Sequence, residues 1–538
     1  MRKGVLFLRV NGNIADFILA QLAEWGVKRI YGVLGDAIFP LLDAFTRQDK
    51  IEFIAATNET AAAFMASYEA KLTGRLTVCA ATAGPGAINL LNGLADAYLD
   101  GSPVLAITGQ VETKKIGTKA KQYFAQQPVY KNFSNYTTIL INPAAVAEIL
   151  ATAARQAYID FSVAHVTVPR DVLTMPVSAD TIPGDIVAIR KPQVFSGSNE
   201  KILETIKNAR KPLIVIGQAA EEAVYQVLAL AHHIGSGLVV AQEAKSIIRG
   251  SFKRNLGGIG DAYLPPIIKE ADCIILVGNA TYENKYFPET AKLIHLAERP
   301  ENINVTACAA ASGDPGLLIE VIMHDLENYA VNQEWVAKIE GEALRLKQII
   351  TQAREDNSRP LLPLRLMSGL NAVVPPRSVI ALDIGEFTHW FDLGYMMENQ
   401  AVLLSSMWRS TGCGLPAAIG AKLADRERKV IAIVGDGGMI ASLGELLTCA
   451  RYNLAITIIV VKNEIYSIEK NKMAAEGFIP FGYELTTPDF VQFAQSCGVA
   501  GFRIEDPAEI EDRIRAAIDS DRPVLLEVAC AAVNLPSL

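Results

Sequence analysis

The chain reads as an α/β protein of three doubly wound parallel-sheet domains, the first and third sharing one fold. Three observations carry this reading. The first is a strand–helix–strand unit. Residues 429–434 and 455–461 are unbroken apolar runs of strand length, and a helical pattern over 439–452 lies between them. That alternation marks neighbouring strands of a parallel sheet. The second is a repeat at an offset of 351 residues: Ala70-Lys71-Leu72 returns as Ala421-Lys422-Leu423, Gly84-Pro85-Gly86 as Gly435-Asp436-Gly437, and residues 104–108 fall in register with 455–459. A period this long excludes a solenoid and points to two related domains. The third is length: 538 residues correspond to roughly three or four domains of ~150 residues.

Punctuation along the chain sets the boundaries. The first domain, residues 1–182, has a strand pattern over 51–56 closed by Asn58-Glu59, a helical pattern over 60–72, and an end near Pro169-Arg170-Asp171-Val172. Residues 183–198 carry Pro and Ser and read as a linker. The middle domain, 199–330, opens on the buried-strand run 211–217 and has another at 272–278, a Rossmann-like alternation. A charged helical stretch over 334–355 and the loop Asp356-Asn357-Ser358-Arg359-Pro360 lead into the third domain, 356–538.

Composition narrows the functional classes. Half the residues are hydrophobic, and 50 basic against 58 acidic residues give a net charge of −8 with no long basic run, so nucleic acid is not an expected partner. Seven cysteines are dispersed without a Cys-x-x-Cys pair, which suits a reducing compartment better than disulfides or a zinc site. The apolar run at residues 4–8 stops at Arg9, too short for a signal-peptide core, and no segment reaches the ~20 apolar residues of a membrane span. The cytoplasm is the expected location. The six histidines are not spaced as a metal set, and only His389 lies near the candidate site.

The chemistry concentrates in the third domain. Asp436 and Asn463, 27 positions apart, stand at the carboxyl ends of two successive strands, where open α/β sheets bind ligands. Gly435, Gly437 and Gly438 let the backbone approach a diphosphate at a helix N-terminus. A carboxylate and an amide oxygen are hard ligands for Mg²⁺. A glycine turn after a strand is by itself commonly plain tight packing, and Glu59 alone is a first-turn glutamate favoured by the helix dipole. The aspartate paired with the distant asparagine is the more specific signal.

The pattern Gly435-Asp436-Gly437 followed by Asn463 resembles the motif of thiamine-diphosphate (ThDP) enzymes. Thr57-Asn58-Glu59 with Ala62-Ala63-Phe64-Met65-Ala66 resembles that family's glutamate segment, with Asn58 where histidine is usual, and Gly84-Pro85-Gly86-Ala87-Ile88-Asn89 resembles its Gly-Pro-Gly turn. The resemblance spans nearly the whole chain and is to pyruvate oxidases and acetolactate synthases. Residues 472–477, Glu484-Leu485 and Pro488-Asp489-Phe490 resemble the oxidases. Ala120-Lys121-Gln122 and Asp383-Ile384-Gly385-Glu386-Phe387 with Trp390 resemble FAD-independent, catabolic synthases equally well.

The resemblance implies an aminopyrimidine-binding first domain and a diphosphate- and Mg²⁺-binding third domain. It assigns Glu59 and Gln122 to catalysis. Glu59 shares a proton with the aminopyrimidine ring, a task that burial would assist by raising its pKa. Cofactor contacts fall on Glu59, Gly385, Glu386, Arg409, Ser410, Thr411, Asp436, Gly437, Gly438, Asn463, Ile465, Tyr466 and Ser467. Asp436, Asn463 and the carbonyl of Ile465 hold Mg²⁺. The substrate is a 2-keto acid, with pyruvate expected, and the active sites lie between subunits of a homodimer or homotetramer.

Two departures bear on the reaction. Thr411 stands where the family has a bulky Met or Leu under the cofactor, and Arg409 where glycine is common. The middle domain has Leu296 near the place where flavin-binding relatives have an acidic residue for a ribose; Gly257-Gly258-Ile259-Gly260 and Gly278 could serve as backbone contacts but read first as turn glycines of a Rossmann-like scaffold. No tightly bound FAD is expected. Oxidation to acetate, transfer to a second keto acid and protonation to an aldehyde stay open as fates of the decarboxylated fragment, as does a flavin-dependent pyruvate:quinone oxidoreductase. A nucleotide-dependent dehydrogenase would need Gly-x-Gly-x-x-Gly with an acid ~20 residues on, which the chain lacks. A catalytically silent paralogue would need neither Glu59 nor the metal pair.

Overall fold

A computed structural model describes residues 8–187, 196–218, 220, 223–241, 244, 252–259, 266–280 and 288–533. Gly260, residues 4–7 of the N-terminal apolar run, part of the 183–198 linker and most of the loop between Glu243 and Gly257 lie outside the described residues.

Three parallel sheets form where the apolar runs lie. In the first, the strands stand in the order Glu52–Ala55, Arg29–Gly32, Thr77–Ala81, Val104–Gln110, Val163–Pro169, Tyr136–Ile139. In the third, they stand as Ala401–Leu403, Val379–Leu382, Val430–Gly435, Ile456–Lys462, Val524–Ala529, Ala500–Ile504. Numbered along the chain from their own first strands, the two orders are identical, so the 351-residue echo is a duplicated topology. The middle sheet has seven strands: six are parallel, and the two-residue strand Ser196–Gly197 returns antiparallel along Ala309–Ser312. The first domain adds a small antiparallel pair, Arg9–Asn13 with Pro176–Asp180.

Side chains alternate across each strand, and both faces are covered. Val78 and Ala80 enter one apolar cluster of the first domain, whereas Cys79 and Ala81 enter another. That second cluster does not stop at the domain boundary. It continues through the helices Glu59–Thr73 and Gly414–Ala424 into Ala432, Val434, Ile458 and Val460 of the third domain. The helices approach closely because Gly420 has no side chain: a Cβ there would lie 2.4 Å from the carbonyl oxygen of Met65.

One helical expectation needs correction. The pattern over 439–452 forms two helices, Asp436–Ser442 and Glu445–Arg451. Gly444, between them, faces the first domain, and a Cβ on it would meet Thr57 Oγ1 at 2.8 Å. The interruption lets Glu445 reach Thr57. All seven cysteines are free, and among the described residues no helix is long and apolar enough to cross a membrane.

Candidate functional site

The third domain gathers its candidate residues at the carboxyl ends of three adjacent strands, Val379–Leu382, Val430–Gly435 and Ile456–Lys462. Asp436 begins a helix directly after its strand, and Asn463 follows the next. The Asp436 carboxylate joins the two ends. Its Oδ1 accepts the N–H of Gly437 at 2.9 Å, and its Oδ2 accepts those of Asn463 at 3.0 Å and Glu464 at 2.5 Å. Burial pushes this carboxyl above the ordinary aspartate range, opposed by the same three N–H groups. Glu464 sits in the left-handed region, φ 61°, at a cost of about 1–2 kcal/mol for a residue with a Cβ.

Around this centre the oxygen donors are ordered. The Asn463 amide donates to Ser467 Oγ at 2.7 Å, and its Oδ1 accepts from the Ile465 N–H at 3.2 Å. The two glycines after Asp436 leave a cradle: a Cβ would come within 2.7 Å of the Tyr466 ring at Gly437, and within 2.7 Å of the Asp383 carboxylate at Gly438. No cluster of three His, Cys, Asp or Glu side chains occurs among the described residues. A hard cation here would therefore draw on one carboxylate with amide and carbonyl oxygens, a donor set that suits Mg²⁺.

Asp383 has no role that its sequence context assigns. It is fully buried at the end of the strand Val379–Leu382 and accepts N–H groups of Ile384, Gly412 and Gly414, at 2.6 to 3.2 Å. Burial raises its carboxyl to about 6 despite those bonds. The available signal was its position, an aspartate at a strand's carboxyl end like Asp436. It fixes one end of the loop carrying Arg409, Ser410 and Thr411. Arg409 is left-handed, φ 54°, and the Ser410 N–H donates to Ser405 Oγ at 3.1 Å. Thr411 is exposed on a cavity of about 270 Å³ between the first and third domains, also lined by Asn58, Asn92, Ser442 and Glu445. Gly385 lies in the turn after the strand, and Glu386 opens the helix Phe387–Gly394 with its carboxylate 3.7 Å from Nδ1 of buried His389.

The first domain gathers a second, smaller group. Asn58 caps the helix Glu59–Thr73 by accepting the Thr60 N–H at 2.7 Å, which accounts physically for an asparagine before the glutamate. Glu59 is half-buried. Its Oε2 accepts from Asn89 Nδ2 at 3.0 Å, and Gly86 makes room for it, since a Cβ there would lie 2.9 Å from Oε1. Gln122 is exposed and left-handed, φ 65°, packed over the Gly84 turn. Three of the six non-glycine residues with positive φ among those described are thus Gln122, Arg409 and Glu464, each in or beside a candidate group, where such backbone is often kept. Among the described residues of one chain, no hydrogen bond or ion pair joins the Glu59 group to the Asp436 group.

Comparison with known proteins supplies the frame for these two groups. Residues 12–132 match the N-terminal TPP-binding domain of thiamine pyrophosphate enzymes, 199–322 the central domain and 383–528 the C-terminal TPP-binding domain. YdaP of Bacillus subtilis, named as a thiamine pyrophosphate-containing protein, is 31% identical over 530 residues, covering 94% of this chain and 90% of its own. The chain belongs to the thiamine pyrophosphate enzyme family. A catabolic acetolactate synthase of Raoultella terrigena is 28% identical, covering 96% and 94% of the two chains, and a pyruvate oxidase of Lactiplantibacillus plantarum is 25% identical, covering 95% and 87%.

As a ThDP enzyme (ThDP and thiamine pyrophosphate are one compound), the chain has two copies of the binding fold, and its two polar groups lie one on each. Asn89, Asn92 and Glu445 also went unassigned in the sequence, because nothing local distinguishes them from helix-surface polar residues. Their partners are 30 to 388 positions away in the chain.

Proposed function

We propose that this ThDP enzyme uses Mg²⁺ to hold the cofactor and decarboxylates a 2-keto acid, pyruvate first among them, in an acetolactate synthase-like reaction. The observation that carries the reading is the pairing of Asp436 and Asn463 across two strand ends, beside glycines that leave room for a diphosphate. Asp436, Asn463 and the Ile465 carbonyl would hold the cation, with Gly385, Glu386, Arg409, Ser410, Thr411, Gly437, Gly438, Tyr466 and Ser467 around the cofactor. Bound ThDP supplies the electron sink for breaking the bond to the carboxylate. Glu59 carries a proton to and from the aminopyrimidine ring, and Asn89 keeps its carboxylate oriented. Gln122 orients the substrate from its strained turn.

Active sites completed between subunits, in a homodimer or homotetramer, belong to this proposal on the strength of the family resemblance. Domain limits of 1–182, 199–330 and 356–538 and a cytoplasmic location belong to the same proposal. We favour transfer over flavin-dependent oxidation because Leu296 is fully buried in the core of the middle domain, leaving no acid at that position for a ribose hydroxyl. The nearby His295 is also committed, with Nε2 at 2.9 Å from the Gly278 carbonyl and Nδ1 accepting from the Asn304 N–H at 2.8 Å.

The test is direct. Purified protein, supplied with ThDP, Mg²⁺ and pyruvate, is expected to release CO₂ and form acetolactate, with no flavin band in its visible spectrum. ThDP-independent or absent CO₂ release overturns the decarboxylase reading. A yellow protein with about one flavin per chain that forms acetate transfers the assignment to the oxidases.

A further inference from the structure

The two domains of the duplicated fold hold each other's site loops through buried carboxylates. Asp100 ends the helix Leu91–Leu99 of the first domain, with its side chain 1% exposed. Its Oδ2 accepts the Ser406 N–H at 2.9 Å, and its Oδ1 accepts the Met407 N–H at 2.8 Å. Both amides belong to the third domain and lead directly into Arg409, Ser410 and Thr411. Lys71 neutralises the carboxylate at 2.7 Å, reaches Asp96 at 2.7 Å and donates to the Leu404 carbonyl at 3.3 Å. Asn92, on the same helix, accepts from Trp408 Nε1 at 2.6 Å and lies 3.3 Å from Ser410 Oγ.

The reverse arrangement holds the first domain. Glu445, 1% exposed on the third domain's helix Glu445–Arg451, accepts the Thr57 N–H at 3.1 Å and the Thr57 hydroxyl. Tyr452 OH accepts the Ala55 N–H at 2.7 Å, and Arg451 donates to the Ala55 carbonyl at 3.0 Å. Thr57 stands two residues before Glu59. Shifted by the 351-residue offset, the helix Glu445–Arg451 corresponds to residues 94–100, so the two ties come from the matching helix of each copy, at opposite ends: Asp100 aligns with Arg451 and Glu445 with Leu94.

We propose that Asp100 and Glu445 are reciprocal positioning residues. Each carboxylate is carried by one ThDP-fold domain and fixes the backbone that presents the other domain's site residues. The proposal rests on the ThDP-enzyme reading for what those residues do. Positioned groups lose rate steeply when displaced; a shift near 1 Å costs up to about 10²-fold. Loss of buried carboxylates that served stability alone would lower the melting temperature and leave turnover per folded molecule unchanged.

Substitutions separate these roles. In Asp100→Asn, an amide cannot accept both the Ser406 and Met407 N–H groups. In Glu445→Gln, the amide still accepts from Thr57 while donating to Thr448 Oγ1, which now donates to Glu445 at 2.7 Å; Glu445→Ala loses the tie. In the full chain with ThDP and Mg²⁺, Asp100→Asn is expected to speed hydrogen exchange at Ser406 and Met407 and to lower kcat about tenfold or more, with KM for pyruvate within about twofold. Glu445→Ala does the same for Thr57, and Glu445→Gln restores both. Asn92→Ala, at an exposed position, is the variant expected to fold in any case and lowers kcat severalfold.

Faster exchange with unchanged kcat overturns the proposal, as does unchanged exchange, or a Glu445→Gln variant as impaired as Glu445→Ala. If the wild-type protein turns over no 2-keto acid, the functional reading fails separately. The ThDP dissociation constant then replaces kcat, and a loosened loop with unaltered ThDP affinity overturns the positioning role.

Discussion

The first and third domains share a strand order and a residue offset, yet their matching turns carry opposite equipment. At the turn after the equivalent strand, the first domain has Gly84-Pro85-Gly86 and the third has Gly435-Asp436-Gly437. Proline has no N–H and no polar side chain, so that turn serves Glu59 by making space. Aspartate at the matching place ties two strand ends and is the carboxylate proposed to hold the cation. The interiors diverge as well. In the strand Val104–Gln110, Thr108 bonds Gln126, His165 and Thr167 within the core, whereas Ile459, at the matching position in the third domain, is purely apolar and buried. A duplicated fold preserves where a residue can act; one or two side chains then decide what is done there.

Breaking the third copy is expected to have the largest effect. Asp436→Ala removes the carboxylate proposed as the cation's only charged protein ligand. ThDP affinity by calorimetry should weaken at least ~100-fold, beyond the ~10–100-fold typical of residues that merely support a metal ligand. Pro85→Ala at the matching turn should leave affinity unchanged, and equal losses in both variants would refute the division of labour. Breaking the first copy should act on rate instead. Glu59→Gln should cut turnover by about 10²-fold, the usual scale for a positioned acid–base group, while ThDP still binds. Unimpaired turnover would return Glu59 to a helix-start role.

The shared core gives a smaller, structural effect. Gly420→Ala places a methyl group against the Met65 carbonyl, which is backbone and cannot swing aside. Thermal unfolding should register a loss of about 1–3 kcal/mol, the range for overpacking. Tolerance of that methyl would mean the two helices do not meet as closely as described.

The smallest effect sharpens the contrast between the two interiors. His165 is fully buried, lies 2.7 Å from Thr108 Oγ1 and 2.8 Å from Thr137 Oγ1, and is pushed down to about 3 by burial. The folded protein keeps it neutral, whereas the unfolded chain protonates it near its usual 6.5. Its stabilising contribution is therefore complete above pH 6.5 and is lost as pH falls from there toward 3, at up to about 1.4 kcal/mol per unit. In urea titrations, the wild-type advantage over His165→Asn should shrink between pH 7 and pH 5. A constant difference would show that His165 does not titrate as its burial requires.

Much of this was legible in the sequence for identifiable reasons. Strands at 430–435 and 456–462 are signalled by apolar runs that only a buried sheet accommodates, and Asp436 and Asn463 follow from them as strand-end polar residues. The duplication showed because the Gly-x-Gly turns tolerate little substitution. Gln122 and Arg409 could be picked from motif resemblance, but their left-handed backbones could not, since neither residue type favours that region. Asp100 and Glu445 were invisible. Their local contexts are an ordinary helix end and helix start, and their function lies in amides more than 300 positions away. The break at Gly444 was missed for the same reason, because only the approach of Thr57 explains it.

The core that passes from the helix Glu59–Thr73 into Gly414–Ala424 also has a consequence for synthesis. When the first domain leaves the ribosome, the helix that should cover it has not been made. At roughly 5–20 residues per second, about 350 further residues take on the order of 18–70 seconds. During that interval the face of the helix at Met65 lacks the surface that Gly420 later brings against it, while the middle domain is being made. Nascent chains halted near residue 330 should therefore engage chaperones through this face, and release past residue 424 should end that engagement.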